Sequence, residues 1–535
     1  MSDGQSSLNS RSIIRVLNIA ALRLLVAALG LTLVAARAHA FDYHVGPTER
    51  YTTIGAVPWY KLAPGDNVLI HYQPAPYYEK FLISTRGTAA KWIRVVGVPG
   101  PNGELPVVSG KNASTSSNMR YHWPAASGSS AIQNLGVVQI AAGAGERAPL
   151  PAYIEIANLR IQDGFSTNQF TAEDGSRASY DGFAACIYAR SVQHLLVRDN
   201  VLTGCGQGFY NWTGSGDKWW DGLQVDTVVR GNYFYDNGNP GSYREHQSYT
   251  ESDGVTYEYN RFGPMRPGAM GSQLKDRSTG TVIRYNYIER SPSGWMMDLV
   301  EPENGYDALG PKPTFTQTFV YGNVLISTGV AKVAPNMVHW NEDHQLGRGR
   351  AVRPANRLFF YHNTVLVVAD RSDFREFHVF NTTWGGYDCA PAAPAGVIDV
   401  RNNIFAAIAR TPSGRPAVIR FAYCAHTNVA FGSNWVSPDW QTGTSGSVTG
   451  TSMLISSGSP GFVSVTDLHL TAGSSAAHIG SALAPEVMNN SLGQPLVPSL
   501  QYAGLQRVTT RSTSGMGADA GAFELSLPPG RPPPR

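Results

Sequence analysis

The chain has 535 residues, with 42 basic against 39 acidic side chains, 56 glycines, 34 prolines and 10% aromatic residues. Its formal charge of +3 leaves no basic surface of the kind that binds nucleic acid. Its length suits one large domain or two ordinary ones, and short β-rich runs broken by Gly, Asn and Asp predict an all-β protein.

In chain order, residues 1–40 read first as a secretory leader. Arg11, Arg15 and Arg23 precede an apolar run from Leu24 to Ala36, and Ala38-His39-Ala40 is a small-residue cleavage pattern before Phe41. The run is short for a membrane span, and no later segment is apolar enough to cross a membrane. Removal of the leader leaves 38 basic and 38 acidic side chains, so the sequence pI of 8.5 belongs mostly to the leader. The mature chain is expected in a periplasm or outside the cell, as a monomer without a nucleic-acid or membrane partner. Its four cysteines permit two disulfides. The pairs nearest in sequence, Cys186–Cys205 and Cys389–Cys424, are the first candidates; the other pairings stay open, and no pair has zinc-site spacing.

Next comes a repeat. HLLVRDNVLTG, DTVVRGNYFYD, GVTYEYNRFG, GTVIRYNYIER, TFVYGNVLI, LFFYHNTVLV and VIDVRNNIFA each alternate apolar residues, then place an asparagine, one residue and another apolar position. The asparagines are Asn200, Asn232, Asn260, Asn286, Asn323, Asn363 and Asn403, spaced by 32, 28, 26, 37, 40 and 40 residues. A unit of this kind buries its apolar face only by stacking on its neighbours. Short strands with turn breaks predict a parallel β-helix, with coils about 4.8 Å apart. An asparagine at each bend suits a ladder of amides bonded from coil to coil, and it tolerates the left-handed conformation of a tight turn. A β-sandwich with Asn-containing turns is the competing reading. A propeller needs more even spacing.

YTTIGAVPWYKLAPGDNVLIHYQ and YYEKFLISTRGTAAKWIRVVGVPGPNGELPVVSG resemble the opening of secreted right-handed parallel β-helix proteins of the pectin-lyase-like superfamily. The ending GADAGAFE, Gly517 to Glu524, is also similar to the close of such chains. The resemblance runs from about Tyr51 to Phe405 and implies a solenoid that hosts many activities. The expected organisation is a cap with the first coils over 41–110, the main β-helix over 111–440, and a less regular segment over 441–535 ending in the flexible tail LPPGRPPPR.

Aligning Asn260 on Asn286 places EHQSYTESDGVTYEYN over GSQLKDRSTGTVIRYN without a gap. Tyr249 then sits over Lys275, Glu251 over Arg277 and Glu258 over Arg284. Matching glycines in the next coil puts Asp298 over Lys275, and counting back eleven residues from Asn232 reaches Asp221. The expected column is therefore Asp221, Tyr249, Lys275 and Asp298, flanked by Glu245, His246, Arg277 and Glu301. An inward lysine is costly unless paired, so the column is expected to face outward onto a groove.

These residue types suit a polysaccharide. A lyase acting on a uronic acid must neutralise a carboxylate, remove the adjacent proton and protonate the departing oxygen. Lys275 is the candidate base, Tyr249 or His246 the competing base or the acid, and Arg277 a bidentate clamp. Glu245, Glu251, Asp298 and Glu301 are candidate ligands for Ca²⁺, which would neutralise the same carboxylate. Trp219 and Trp220, in the stretch before Asp221, and Trp295 are candidate stacking platforms, with Arg284 and His339 as further substrate contacts. The arrangement is similar to the alginate lyase and chondroitinase B family, where a β-helix lysine is the base, an arginine the acid and calcium often neutralises the carboxylate. Lys275 matches that lysine, whereas the family's following Arg-His-Gly segment has no counterpart here. A glycoside hydrolase using paired carboxylates and a solenoid that only binds glycan are the alternatives. The Glu251/Arg277 and Glu258/Arg284 pairs also read as cross-coil ion pairs that solubilise a face.

Overall fold

The computed structural model describes residues 40–119, 121, 132–143, 149–214, 216, 221–290, 294–329, 336–341, 343, 355–382, 396–423, 427–443, 447–457, 459–504, 507–513 and 517–525. The leader before residue 40, Trp219, Trp220, the Cys389–Cys424 pair and the Pro-rich tail lie outside these residues.

Each apolar-alternating repeat forms one coil of a right-handed parallel β-helix. Three long sheets run the length of the molecule, one of 13 strands and two of 11, and every pairing within them is parallel. One coil shows the plan. Asp253–Glu258 lies in the 13-stranded sheet and Arg261–Phe262 in a second sheet. Leu274–Asp276 lies in the third, and Thr279–Arg284 re-enters the first one rung on. Only Arg277 and Ser278 separate these last two strands, so Arg277 occupies the corner between sheets. Among the described residues the one α-helix is the four-residue Tyr306–Leu309.

Alternation sends every second side chain inward, and equivalent positions stack rung on rung. In the third sheet the inner column reads Phe209, Ser248, Leu274, Met297, Val338, Phe380 and Ala422. In the second sheet Phe234 and Phe262 stack at 4.8 Å. This dense like-on-like packing carries the hydrophobic stabilisation.

The asparagines form a continuous buried ladder. The Asn260 Oδ1 accepts the backbone N–H of Asn232 at 2.9 Å and its side-chain amide at 3.1 Å. Asn286 does the same for Asn260, and the pattern continues through Asn323, Asn363 and Asn403. An eighth member absent from the repeat as first read, Asn434, closes it by accepting from Asn403. Each ladder amide also donates to a strand carbonyl, such as Val229 O from Asn260 at 2.8 Å. The left-handed conformation falls one residue before the expected position, at Asp199, Gly231, Tyr259, Tyr285, Gly322, His362 and Asn402. The asparagine itself turns inward as the bonded rung, which leaves the preceding residue to make the turn.

The C-terminal chain packs against two of the three outer faces. Ala484, Val487 and Leu496 cover Tyr285, Tyr321 and Tyr361 beside the 13-stranded sheet. Leu468, Leu470, Ala520, Ala522 and Phe523 cover the second sheet at Val324, Leu366, Ile404 and Trp435. Neither cluster includes a side chain of the third sheet. A disulfide joins Cys186 and Cys205, which fits an oxidising compartment. Among the described residues no helix is long and apolar enough to cross a membrane.

The ladder predicts a local cost. Asn286→Ala strands two donors of Asn260 and the acceptor Tyr257 O at a fully buried position. It is expected to destabilise the chain by at least about 3 kcal/mol, since each of the three orphaned buried groups costs about 1–3 kcal/mol. Denaturant unfolding checks this, with the surface change Asn102→Ala, expected to be near neutral, as control.

Candidate active site

The third sheet's outer face carries an unbroken polar column. Its register reads Tyr188, Tyr210, Tyr249, Lys275, Asp298, His339 and Asn381 on successive rungs. The structure therefore brings Tyr249, Lys275, Asp298 and His339 together. Strand alternation places them outward, and the solenoid repeat spaces them at one strand separation.

Asp221 does not join them. Tyr210 holds the rung next to Tyr249, because the excursion from Thr213 to Gln224 inserts residues between the site strand and Asn232. Counting back eleven therefore lands in the loop. There the Asp221 carboxylate accepts from Arg190 Nε at 3.4 Å and Ser191 Oγ at 3.2 Å. Arg284 is also elsewhere, on the 13-stranded sheet, donating to Glu258 at 2.8 Å and to the Tyr321 hydroxyl at 3.1 Å. Glu258 sits between Arg230 and Arg284, so this pair is the cross-coil ion pair of the plainer reading.

At the centre the Lys275 ammonium donates to Asp298 Oδ2 at 2.6 Å and to Asp343 Oδ2 at 3.3 Å. Burial works against its charge, but the Asp298 carboxylate prevails and its pKa is raised above the ordinary lysine value. Lys275 is thus held as a cation, which corrects the expectation of a resting base. Burial opposes ionisation of Asp298 too, yet Lys275 and His339 hold its pKa below the usual carboxylate range. His339 Nδ1 meets Asp298 Oδ1 at 2.8 Å, and the Trp295 ring stacks on His339 at 4.8 Å.

Arg277, only 2% exposed, reaches from the corner into the same cluster. Its Nε donates to the Tyr249 hydroxyl at 2.8 Å and its Nη1 to the Glu301 carbonyl at 2.7 Å, while its Nη2 bonds the Asp343 carboxylate. Burial pushes the Tyr249 phenol up more than Arg277 and Lys275 pull it down, so it is neutral at neutral pH. His246 is buried beside Tyr249, and its Nδ1 accepts the Ser272 backbone N–H at 2.9 Å. Burial and the Lys275 charge lower its pKa to about 3. His246 is therefore a neutral imidazole with its proton on Nε2, a donor and not a base.

The four carboxylates proposed for Ca²⁺ do not gather into one shell. Glu251 accepts the backbone N–H groups of Glu303 and Gly305 and the side chain of Asn304, anchoring that loop. Asp298 is engaged by Lys275 and His339, and Glu301 Oε2 accepts the Asp343 N–H at 2.8 Å. Glu245 is buried, and burial raises its pKa. Donors spent on the protein's own N–H groups and cations do not fit a cage of six to eight oxygens.

The sequence reading missed Asp343 and the pairing of Tyr188 with Tyr210. The two tyrosines, stacked at 5.5 Å, extend the column as an aromatic track. Asp343 follows the His339 strand in NEDH, an acidic run just past a column residue, and this was the available signal.

No family model matches the chain, and no curated protein matches it. Solved structures are similar to it in fold. One is a PL6 family alginate lyase, AlyGC, at 12% identity and TM-score 0.32, covering 75% of this chain and 51% of that one. A second is a GH136 lacto-N-biosidase from Eubacterium ramulus, at 10% identity and TM-score 0.33, covering 76% and 67%. A third is a mutant DFA-IIIase from Arthrobacter chlorophenolicus A6 in complex with DFA-III, at 11% identity and TM-score 0.26, covering 72% and 77%. The match spans about half the length of the alginate lyase.

His246 generates a pH prediction. Its folded-state pKa is depressed, so the unfolded chain takes up a proton below pH about 6.5 while the folded chain does so only near 3. Stability tied to this group is full above the upper value and is lost as pH falls through that window, by roughly 5 kcal/mol if the whole window is crossed. His246→Asn keeps an acceptor for Ser272 and removes the titration. Denaturant melts from pH 7 to 4 are expected to show a shallower loss of stability in the variant. The two domes of stability against pH superimpose if the imidazole is not buried as described.

Proposed function

We propose that this chain is an exported carbohydrate-active enzyme, a polysaccharide lyase that cleaves an acidic polysaccharide by β-elimination on the outer face of the third sheet. The observation that carries the reading is a neutral phenol, Tyr249, with the Arg277 guanidinium on its oxygen and the Lys275 ammonium over its ring, Lys275 in turn bonded one rung on to a histidine–carboxylate dyad. Groups whose environments push their protonation in opposite directions are how one site holds an acid and a base together.

The roles follow from the contacts. Lys275 and Arg277 face the substrate carboxylate, and their charge makes the proton on the adjacent carbon acidic. His339, oriented through Nδ1 by Asp298, takes that proton. The electron pair left on the carbon forms the new double bond as the glycosidic carbon–oxygen bond breaks. Tyr249 gives its proton to the departing oxygen, and the phenolate that remains is stabilised by the Arg277 donor already on it. Solvent then returns the proton held by His339 to Tyr249. Tyr188 and Tyr210 offer ring faces for neighbouring sugars.

A second reading has a specific observation behind it. Asp298 and Asp343 both touch Lys275, and Glu303 lies 3.7 Å from Arg277, so carboxylates outnumber cations here. A hydrolase would use two of them as acid and base or nucleophile.

A screen of alginate, pectate, glucuronan and neutral glycans separates these readings. A lyase yields new reducing ends together with the ultraviolet absorbance of an unsaturated sugar acid, whereas a hydrolase yields reducing ends alone. On the cleaved polymer, Tyr249→Phe, Lys275→Ala and His339→Gln are each expected to lower kcat/KM by about 10²–10⁴. The wild-type alkaline limb is expected above pH about 10, where the raised phenol of Tyr249 ionises. Full elimination activity in Tyr249→Phe would discard the assignment of the acid.

A further inference from the structure

A second cluster of chemistry-bearing side chains sits at the opposite extreme of the fold, on the first rung of the 13-stranded sheet. His44 lies in the first strand, Asp42–Val45, and His71 ends the next, Asn67–His71. The pairing of Val45 with Ile70 places His71 beside the turn that begins at Gly46. That turn carries Glu49 and folds back so that the Gly46 N–H reaches Tyr51 O at 2.9 Å.

The three side chains converge. His44 Nδ1 and His71 Nε2 are 2.9 Å apart, and Glu49 Oε1 is 3.9 Å from His71 Nδ1. One donor atom from each of the three residues lies within 4.8 Å of the other two. All three are half-buried, open enough for a cation to enter from solvent. A Cβ on Gly46 would stand 3.0 Å from Glu49 Cγ and 3.2 Å from His71 Cβ, so the missing side chain leaves the two ligands room to meet. The Tyr77 hydroxyl donates to the His71 carbonyl at 2.7 Å and fixes the backbone that carries one imidazole.

We propose that His44, Glu49 and His71 form a binding site for a borderline transition-metal ion of the Zn²⁺ class, which staples the first coil to the second. Two imidazoles and one carboxylate are a donor set that selects such an ion over Ca²⁺ or Mg²⁺, which prefer oxygen. With bonds of about 2.0–2.1 Å, neighbouring tetrahedral ligands stand about 3.3 Å apart. The two contacts engage opposite nitrogens of His71, and with one donor atom from each residue within 4.8 Å of the others, a rotation of the side chains draws the three toward that spacing. Binding replaces the hydrogen bond between the two rings, and each imidazole then keeps its proton on the nitrogen turned away from the metal. The fourth position belongs to water. Among the described residues the first strand has a sheet neighbour on one side only, so an ion tying strand, turn and next rung would hold that end of the solenoid closed. The site is remote from the polar column and stands independently of what that column does.

The test uses the mature chain without a histidine tag, stripped by chelator and titrated with ZnCl₂ in a calorimeter. One ion per chain at these residues is expected, with a rise in melting temperature on binding. Co²⁺ in place of Zn²⁺ is expected to give the visible absorption of a low-coordinate nitrogen–oxygen site. His44→Asn and Glu49→Gln keep a polar side chain, and circular dichroism confirms that they fold. Each is expected to weaken binding at least tenfold and to abolish the thermal shift. Absence of saturable binding, or stoichiometry and affinity unchanged in both variants, overturns the proposal.

Discussion

Register between coils is the constraint on which everything else in this molecule depends. A parallel sheet alone does not specify it strongly, because strands of similar apolar pattern can slip by two residues without exposing their core. The asparagine ladder removes that freedom. Each side-chain carbonyl takes two N–H groups from one neighbouring coil while its amide donates to a strand carbonyl. A slipped coil would leave these groups unpaired at positions with 0% exposure. Coils of different length are tolerated because excursions leave between the strands and return to the same rung. The segment from Glu301 to Thr316, between the Asp298 strand and the next strand of the 13-stranded sheet, does so.

Fixed register turns scattered residues into a column. Tyr249, Lys275, Asp298 and His339 span ninety positions of sequence and lie on four consecutive rungs. Packing decides which column remains available. The C-terminal segment buries apolar side chains against two outer faces, and the third keeps its tyrosines, charges and Trp295. A stability argument alone does not account for that choice. Replacing buried ion pairs by apolar residues of similar volume is often neutral or stabilising, so Lys275 with Asp298 and Arg277 with Asp343 are weak sources of folding energy. Their value is preorganisation, with cations held charged and a phenol oxygen already aimed at a donor.

The fold and much of this column were legible because both rest on periodicity. The 26-residue interval between Asn260 and Asn286 is free of insertions, so simple alignment paired Tyr249 with Lys275 and Glu258 with Arg284 as the strands do. Asp221 failed for the converse reason, an excursion that alignment on the asparagine did not see. Arg284 failed because alternation along a strand does not say which sheet of a three-sided coil the strand occupies. The four carboxylates named for Ca²⁺ stand apart because neighbours in sequence take different partners, as Glu251 does with the N–H groups of Glu303 and Gly305 and Asp298 with Lys275. Protonation was the least legible property. Lysine reads as a base in sequence, and only the Asp298 contact shows that the ammonium is retained. The first-coil cluster was invisible for a related reason, since His44, Glu49 and His71 carry no motif until two strands are paired.

Asp343 bears on what the column can accept. Its carboxylate oxygen bridges the Lys275 ammonium and the Arg277 guanidinium, the two cations that a uronic acid carboxylate would need. A planar carboxylate shared by a lysine and an arginine is itself the geometry of substrate recognition, supplied here by the protein. An acidic sugar entering the column must therefore displace Asp343 or bind beside it against like charge. Displacement exchanges one carboxylate for another on the same donors, so the ionic part of binding nearly cancels. Selectivity then falls to the parts that do not cancel, the tyrosine track at Tyr188 and Tyr210 and the Trp295–His339 stack. A neutral sugar has no carboxylate to exchange, and Asp343 would stay in place and keep both cations neutralised. On the proposed reading, the same carboxylate would compete with stray anions and would make productive binding conditional on a ring that fits the aromatic faces on either side.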